Sequence, residues 1–566
     1  MKNIQCKNCH KTFKITDTDQ VFYDRIDVPT PTLCPDCRAQ RRMSHRNEIS
    51  LYNDECDLCK KKILSTYSGV LPLTVYCSDC FYSDKWPACN ASRSDVGGDA
   101  RDYGKEFDFS QPFFEQYKEL QYRTPRFNIL IEDCENCDYS NVIGYSKNCY
   151  LIAGSINCED CYYGNPYNCF SCVDSLILRN SELCYECINS DNLYNCFYCQ
   201  DCFDSNNSKY CYDCKGCSDC MGCAGLRNKN YCINNKQYSE EEYKIIASKI
   251  DFCDPEKVKY LWKNFNEQKL KHARIFMTGI KNEQVSGNYI NNSNNAFNCF
   301  DVDKLDNCKY INQAQEVKDS YDLSNNENVE LCYEISGGNR INNCRFGLFI
   351  WKSHNLDYCE RCRDSHDLFG CVSMNKQEYC ILNKQYSKDE YFKMKRKIIN
   401  YMQKSGEWGE LFSIADSIFA YNETVAQDYF PMKEDSVMQK EWRWYQRENN
   451  NQTQKYRVLL DINQVEDDIC KQVLSCKTCQ KNYKIIPQEL AFYKKQGLPI
   501  PKNCHHCRRY ARMQLCTPRA IWKRECMCTQ PDHNHSGKCI KSFETAYSPN
   551  GKELIYCEDC YNKETY

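Results

Sequence analysis

Residues 195–202 read NCFYCQDC, and residues 211–223 read CYDCKGCSDCMGC. Related motifs precede them: NCEDC at 157–161, NCFSC at 168–172 and LCYEC at 183–187. The pairs begin at Cys158, Cys169, Cys184, Cys196 and Cys211, so every second pair recurs at 26 or 27 residues. No long helical pattern interrupts the series. A recurrence of that length, made of short segments with Asn or Asp between them, predicts a right-handed β-helix whose successive coils stack side chain on side chain. Asn suits corners that need the left-handed conformation. The cysteines are expected to form inward ladders of small apolar groups, and the tyrosines to cover an outer face.

A second, less cysteine-rich stretch runs from about Gln284 to Cys380 and carries Cys299, Cys308, Cys332, Cys344, Cys359, Cys362 and Cys371. Its kinship with the first is visible where each ends. YCINNKQYS at 231–239 and YCILNKQYS at 379–387 coincide at an offset of 148. Each leads into a helix-forming run, with Ser239 and Ser387 as N-caps and acids in the first turn. These helices read as caps closing the open ends of two solenoids. The run of five cysteines from Cys211 to Cys223 invites an iron–sulfur reading, but it lacks the three-residue gap and the proline of the ferredoxin motif. Stacked structural thiols are preferred to that cluster and to additional zinc.

The two ends of the chain are a duplicate pair. Cys6-x2-Cys9 and Cys34-x2-Cys37 recur as Cys476-x2-Cys479 and Cys504-x2-Cys507, an offset of 470 that also carries Phe22-Tyr23 onto Phe492-Tyr493 and Arg38 and Arg42 onto Arg508 and Arg512. Two C-x2-C knuckles supply the four thiolates of a closed tetrahedral zinc site. A second set follows each first one. Cys56, Cys59, Cys77 and Cys80 make one; Cys539, Cys557 and Cys560 match the last three of these at an offset of 480. Cys526 is the fourth ligand by register, with Cys528 close behind and His533 or His535 able to replace a cysteine or bind a second ion. Zinc, about four structural ions, is the expected cofactor. Cys89, Cys470 and Cys516 lack partners and are expected to be free thiols.

FYDRIDVPTPTLCPDCRAQRR at 22–42 and FYKKQGLPIPKNCHHCRRYAR at 492–512 resemble the probable zinc-ribbon, treble-clef family found at the ends of large, cysteine-rich bacterial proteins. The resemblance covers roughly 1–90 and 470–566. It implies zinc binding through Cys6, Cys9, Cys34, Cys37 and their counterparts, and no particular activity.

The fold class that follows is mainly β and multidomain, with small treble-clef or zinc-ribbon modules at both ends of one or two β-helix-like solenoids with capping helices. The expected domains are tandem zinc modules (1–93), a linker and a Ser110-capped amphipathic helix (94–126), a solenoid (127–233), capping helices (234–283), a second solenoid (284–381), a capping helix (382–404), a linker region (405–468) that includes ENNNQTQK, and the duplicated zinc modules (469–566). Trp408, Trp442 and Trp444 are expected to be packing residues.

The chain has 566 residues and 47 cysteines. An odd count of closely spaced pairs favours metal ligation in a reducing compartment over a disulfide scaffold. Mean hydropathy is −0.75, and no apolar run approaches the ~20 residues of a membrane span. The N-terminus lacks the pattern of a secretory signal. A cytoplasmic protein with no membrane association is expected.

Net charge is −3, yet Cys470–Glu525 holds thirteen Lys and Arg against Glu489 and Glu525, a net of +11. Arg508, Arg509, Arg512, Arg519, Lys523 and Arg524, with Arg38, Arg41 and Arg42 at the other end, are candidates for contacts with nucleic acid, RNA above all. The competing readings are a solvated basic face, and a scaffold that docks a protein partner on the solenoid. A polysaccharide-cleaving β-helix is a third reading, for which the sequence offers no paired-acid constellation. A non-enzymatic protein is expected, with its oligomeric state open.

Overall fold

A computed structural model describes residues 1–83, 85–86, 99–446, 461–533 and 535–565. The chain forms two compact units. One joins Met1–Ile129 to Met277–Tyr445 and Arg519–Ile521; the other joins Leu130–Phe276 to Gln446–Pro518 and Trp522–Tyr566. The N-terminal cysteine modules therefore share a unit with the second solenoid, and the C-terminal modules share one with the first.

Each solenoid is a parallel coil of twelve residues per turn, with eleven in some turns. Cys220 lies beside Cys232, Tyr321 beside Tyr333, and Tyr333 beside Arg345. Within a coil the backbone turns at every third residue, as the positive φ of Asp133, Asn136, Tyr139, Val142, Tyr145 and Asn148 marks. Each side is thus one inward residue, one outward residue and one left-handed corner. An L-residue at such a corner is disfavoured by roughly 1 kcal/mol or more, and side-chain ladders offset the strain. Asn157 donates to Asn168, Asn168 to Asn180, and Asn180 to Asp191, all at 2.9–3.1 Å. Asn295, Asn307 and Asp319 repeat the device in the second solenoid.

The 26- and 27-residue recurrence is therefore not the coil. Cys169 to Cys184 is one coil plus one side, whereas the stacked column runs Cys149, Cys161, Cys172, Cys184 and Cys196 at eleven or twelve residues. The inward cysteines are also more than apolar filler. Cys199 Sγ lies 3.4 Å from the Ser208 carbonyl of the next coil. Ser190 plays a comparable part, donating to Ile188 O and accepting from the Cys202 N–H at 3.1 Å. Small inward groups let coils approach closely: a Cβ on Gly287 would sit 1.7 Å from Cys299 O.

Both solenoids close with an antiparallel turn, through Lys236–Gln237 and Lys384–Gln385. Capping helices follow, Glu240–Ala247 and Lys388–Ser405, each opened by a capping box of Ser239 with Glu242 or Ser387 with Glu390. A further helix, Pro255–Lys271, packs Leu261 and Phe265 against Tyr210 of the first solenoid.

Three expectations need correction. The helix after the N-terminal modules is Phe113–Arg123, and Ser110 does not cap it. Its first free N–H groups, of Phe113 and Phe114, are taken by the Glu407 carboxylate at 3.2 and 3.0 Å. The first half of the 405–468 region is no linker. Trp408, Leu411 and Phe412 join the core of their unit, and Tyr421, Val425, Ala426 and Val437 pack on Met43. The ENNNQTQK stretch and Cys89 lie outside the described residues. Finally, the outer tyrosines are covered in part: Tyr163, Tyr185 and Phe197 lie under Tyr483, Leu490 and Tyr493 of the C-terminal module, while Tyr139, Tyr145 and Tyr194 are exposed.

Candidate metal centres and the arginines behind them

The first module begins with the hairpin Lys2–Gln5 and Thr12–Ile15, whose turn carries Cys6 and Cys9. Helix Asp17–Arg25, capped by Thr16, leads back to Cys34, which is itself the N-cap of helix Pro35–Met43 with Cys37 in its first turn. The same sequence of hairpin, helix and knuckle recurs as Leu474–Ser475 with Asn482–Tyr483, Pro487–Gln496 and His505–Met513. The second modules place hairpins Tyr52–Glu55 with Lys62–Ser65, and Trp522–Glu525 with Ser542–Thr545, against Cys77 and Cys557.

These elements bring four sets of sulfurs together: Cys6, Cys9, Cys34, Cys37; Cys56, Cys59, Cys77, Cys80; Cys476, Cys479, Cys504, Cys507; and Cys526, Cys539, Cys557, Cys560, every pair within 4.8 Å. Four bonds of about 2.3 Å to a tetrahedral zinc put sulfurs about 3.8 Å apart. Cys9–Cys34, Cys59–Cys77 and Cys479–Cys504 are separated by 3.6, 3.8 and 3.7 Å. The donor set and spacing fit zinc, which would be closed to substrate. Backbone amides prepare the anions: the N–H groups of Cys34, Cys77 and Cys557 donate to Cys6, Cys56 and Cys526 Sγ at 3.2–3.3 Å. At Cys56 and Cys476 burial resists ionisation, but backbone N–H groups outweigh it and bring these thiols down to about 7 and about 6, whereas burial prevails at Cys526. The shared amide contact puts Cys526 in the role of Cys6 and Cys56, and Cys528 falls in a different group, with His535 and Cys560.

Residues 2–46 match the family model of a probable treble clef domain. The match covers the first hairpin, both of its helices and the first four cysteines. No curated protein matches the chain. Among solved structures, a putative acetyltransferase from Desulfovibrio desulfuricans G20 is 12% identical over 44% of this chain and 68% of that one, with a TM-score of 0.10. A score that low carries no argument about fold or activity.

The treble clef helix Pro35–Met43 is held by charge. Arg38 and Arg42 are 1% and 0% exposed, facing Asp322 and Glu334, both 0% exposed, on adjacent coils of the second solenoid. Arg38 reaches Asp322 at 2.9 Å, Arg42 reaches Asp322 at 2.9 Å, and Arg41 spans Glu334 at 3.2 Å and Glu410 at 2.7 Å. Residues four apart on a helix rise about 6 Å, close to the roughly 4.8 Å step between coils, so two arginines of one helix face meet two acids of one corner column.

The other unit repeats this. Arg508 and Arg512 of His505–Met513 pair with Asp174 at 3.1 and 3.0 Å, Arg508 with Glu489 at 3.3 Å, and Arg512 with Glu186 at 3.0 Å. Asp174 and Glu186 are Asp322 and Glu334 less 148, and all four are left-handed corner residues. Burial pushes the Glu186 carboxyl up to about 7 against the pull of Arg512. Aromatic contacts follow the same two offsets: Tyr23 meets Tyr333 at 5.6 Å, and Tyr493 meets Tyr185 at 5.8 Å.

The second modules are tied in as well. Strand Val75–Tyr76 pairs in parallel with Arg126–Phe127, and Ile555–Tyr556 with Arg274–Ile275. Arg126 is fully buried and reaches Glu360 at 2.6 Å.

The expected nucleic-acid contacts are thus largely overturned as surface residues. Arg38, Arg41, Arg42, Arg508 and Arg512 are buried in ion pairs. Arg519 reaches Asp301 at 2.8 Å with its side chain 8% exposed. Arg524 donates to Ser548 O at 3.1 Å, and Arg509 is half-buried. Lys523 is exposed. Their acidic partners were the signal that sequence reading missed, although Asp174/Asp322 and Glu186/Glu334 obey the offset already visible at the solenoid ends. Among the described residues no disulfide forms, Cys470 and Cys516 are half-buried, and no helix is long and apolar enough to cross a membrane.

Proposed function

We propose that this protein is a non-catalytic scaffold in which zinc shapes the terminal modules so that their arginines fasten each end of the chain to a solenoid. The observation that carries this reading is the duplicated buried network: Arg38 and Arg42 on Asp322 and Glu334, Arg508 and Arg512 on Asp174 and Glu186. Ion pairs at these depths break even only when geometry is fixed on both sides, and a tetracysteine site at the start of each arginine helix supplies that fixity. Closed coordination in all four tetracysteine sets supports a structural rather than catalytic use of metal. The free thiols suit a reducing compartment, and a protein is the favoured class of partner.

Against RNA weighs the engagement of the arginines, since phosphate binding needs cations at the surface. Anisotropy of labelled single-stranded RNA and duplex DNA, titrated with the zinc-loaded chain from low to physiological salt, tests this. No saturable binding is expected at any salt. Saturable binding that weakens steeply with salt would overturn the reading and return the basic segment to nucleic acid.

A further inference from the structure

The last module carries ten residues more than its N-terminal counterpart, and they bring Cys528, His533 and His535 beside the fourth tetracysteine set. Cys528 Sγ, a nitrogen of His535 and Cys560 Sγ lie within 4.8 Å of one another. Cys560 also belongs to the set with Cys526, Cys539 and Cys557. The geometry points to a second metal ion in this module, held by Cys528 and His535 and joined to the first by the Cys560 thiolate as a bridge. This rests on reading the tetracysteine sets as zinc sites.

Three observations carry it. His535 Nδ1 is 2.8 Å from Gly537 O while Nε2 is 3.5 Å from Cys560 Sγ. A ring that donates from Nδ1 to a backbone carbonyl leaves the Nε2 lone pair for a metal, the arrangement that orients most histidine ligands. The separation matches the roughly 3.5 Å that a thiolate at about 2.3 Å and an imidazole at about 2.0 Å subtend across a tetrahedral zinc.

His533 is 7% exposed, with Nδ1 3.2 Å from Cys528 Sγ and Nε2 3.8 Å from the Glu564 carboxylate. It backs the Cys528 ligand from outside the three-donor group, with a carboxylate behind it. Cys528 is fully buried, and the Cys539 N–H donates to its carbonyl at 2.9 Å, tying the insertion to the tetracysteine core.

Charge favours the pair of ions. One zinc with four thiolates leaves a net charge of −2, whereas two zinc ions with the five thiolates of Cys526, Cys528, Cys539, Cys557 and Cys560 leave −1 in a buried site.

Native mass spectrometry of the full chain, purified under reducing conditions with zinc, decides the matter alongside Cys528→Ser and His535→Ala. Five zinc ions are expected in the parent and four in each variant. Cobalt loading gives a second readout: a thiolate bridge couples two cobalt spins, so the parent is expected to lose part of its summed magnetic moment and His535→Ala to regain it. Four ions in the parent, or five that neither variant reduces, would overturn the second ion while leaving the tetracysteine sites intact. No bound zinc at all would instead overturn the zinc reading beneath it.

Discussion

Asp322 accepts from two arginines of one helix, and neither it nor they can reach water. Removing one member of such a group strands the other charges, at about 3–5 kcal/mol. Arg42→Ala and Asp322→Asn are therefore each expected to destabilise their unit by that amount in urea unfolding of the zinc-loaded protein. Arg512→Ala and Asp174→Asn should do the same in the other unit. Lys523→Ala, at an exposed position, should change stability by less than about 0.5 kcal/mol.

Glu360 gives a pH dependence. Burial alone would raise its carboxyl, but Arg126 and Arg361, with Gln121 donating, hold it down to about 2. A depressed carboxyl contributes stability that is present above its unfolded value of about 4.3 and is lost as pH falls toward 2. Glu360→Gln should be less stable than the parent at neutral pH, and the gap in unfolding free energy should close between about pH 4.3 and 2. A gap that stays constant through that window would remove the charge from the account.

At the scale of the element, the coil is defined by what can sit inside it. Cysteine and serine both occupy inward positions and both bond to the next coil, Cys199 to a carbonyl and Ser190 to an N–H. Cys214→Ser is accordingly expected to fold, with thermal stability within a few degrees of the parent and unchanged zinc content. Cys214→Leu should overpack the coil and cost about 1–3 kcal/mol. Helix Phe113–Arg123 depends on a cap from far along the chain, so Glu407→Ala should cost about 1 kcal/mol, read as a lowered melting temperature.

These elements also show what sequence could and could not convey. Duplication exposed the tetracysteine sets and the solenoid ends, because both are written as fixed spacings. The twelve-residue coil stayed hidden because each C-x2-C pair sets its two cysteines on neighbouring sides, so the first cysteines of successive pairs do not keep the period although the column Cys172, Cys184, Cys196 does. The arginines misled for a different reason: a local cluster of cations looks solvated when most of its acids lie more than 200 residues away. The Glu407 cap is non-local in the same sense, and Ser110 was merely the nearest suitable residue.

At the scale of the whole molecule, the two offsets combine into one design used twice. An offset of 470 carries Arg38 and Arg42 to Arg508 and Arg512, and an offset of −148 carries Asp322 and Glu334 to Asp174 and Glu186. Each unit thus closes a terminal module onto a solenoid from elsewhere in the chain. In the proposed reading, zinc bound by the four cysteine sets is what holds modules this small in shape.

Hydrogen exchange before and after complete zinc removal by a chelator tests that dependence most directly, because protection reports local opening. The prediction is that amides of 34–46 and 504–515 lose protection when zinc is removed, together with those around Asp322, Glu334, Asp174 and Glu186, while inward strands of both solenoids keep theirs. Full protection of the arginine helices in the metal-free protein would contradict the central claim that zinc holds the clamps in place.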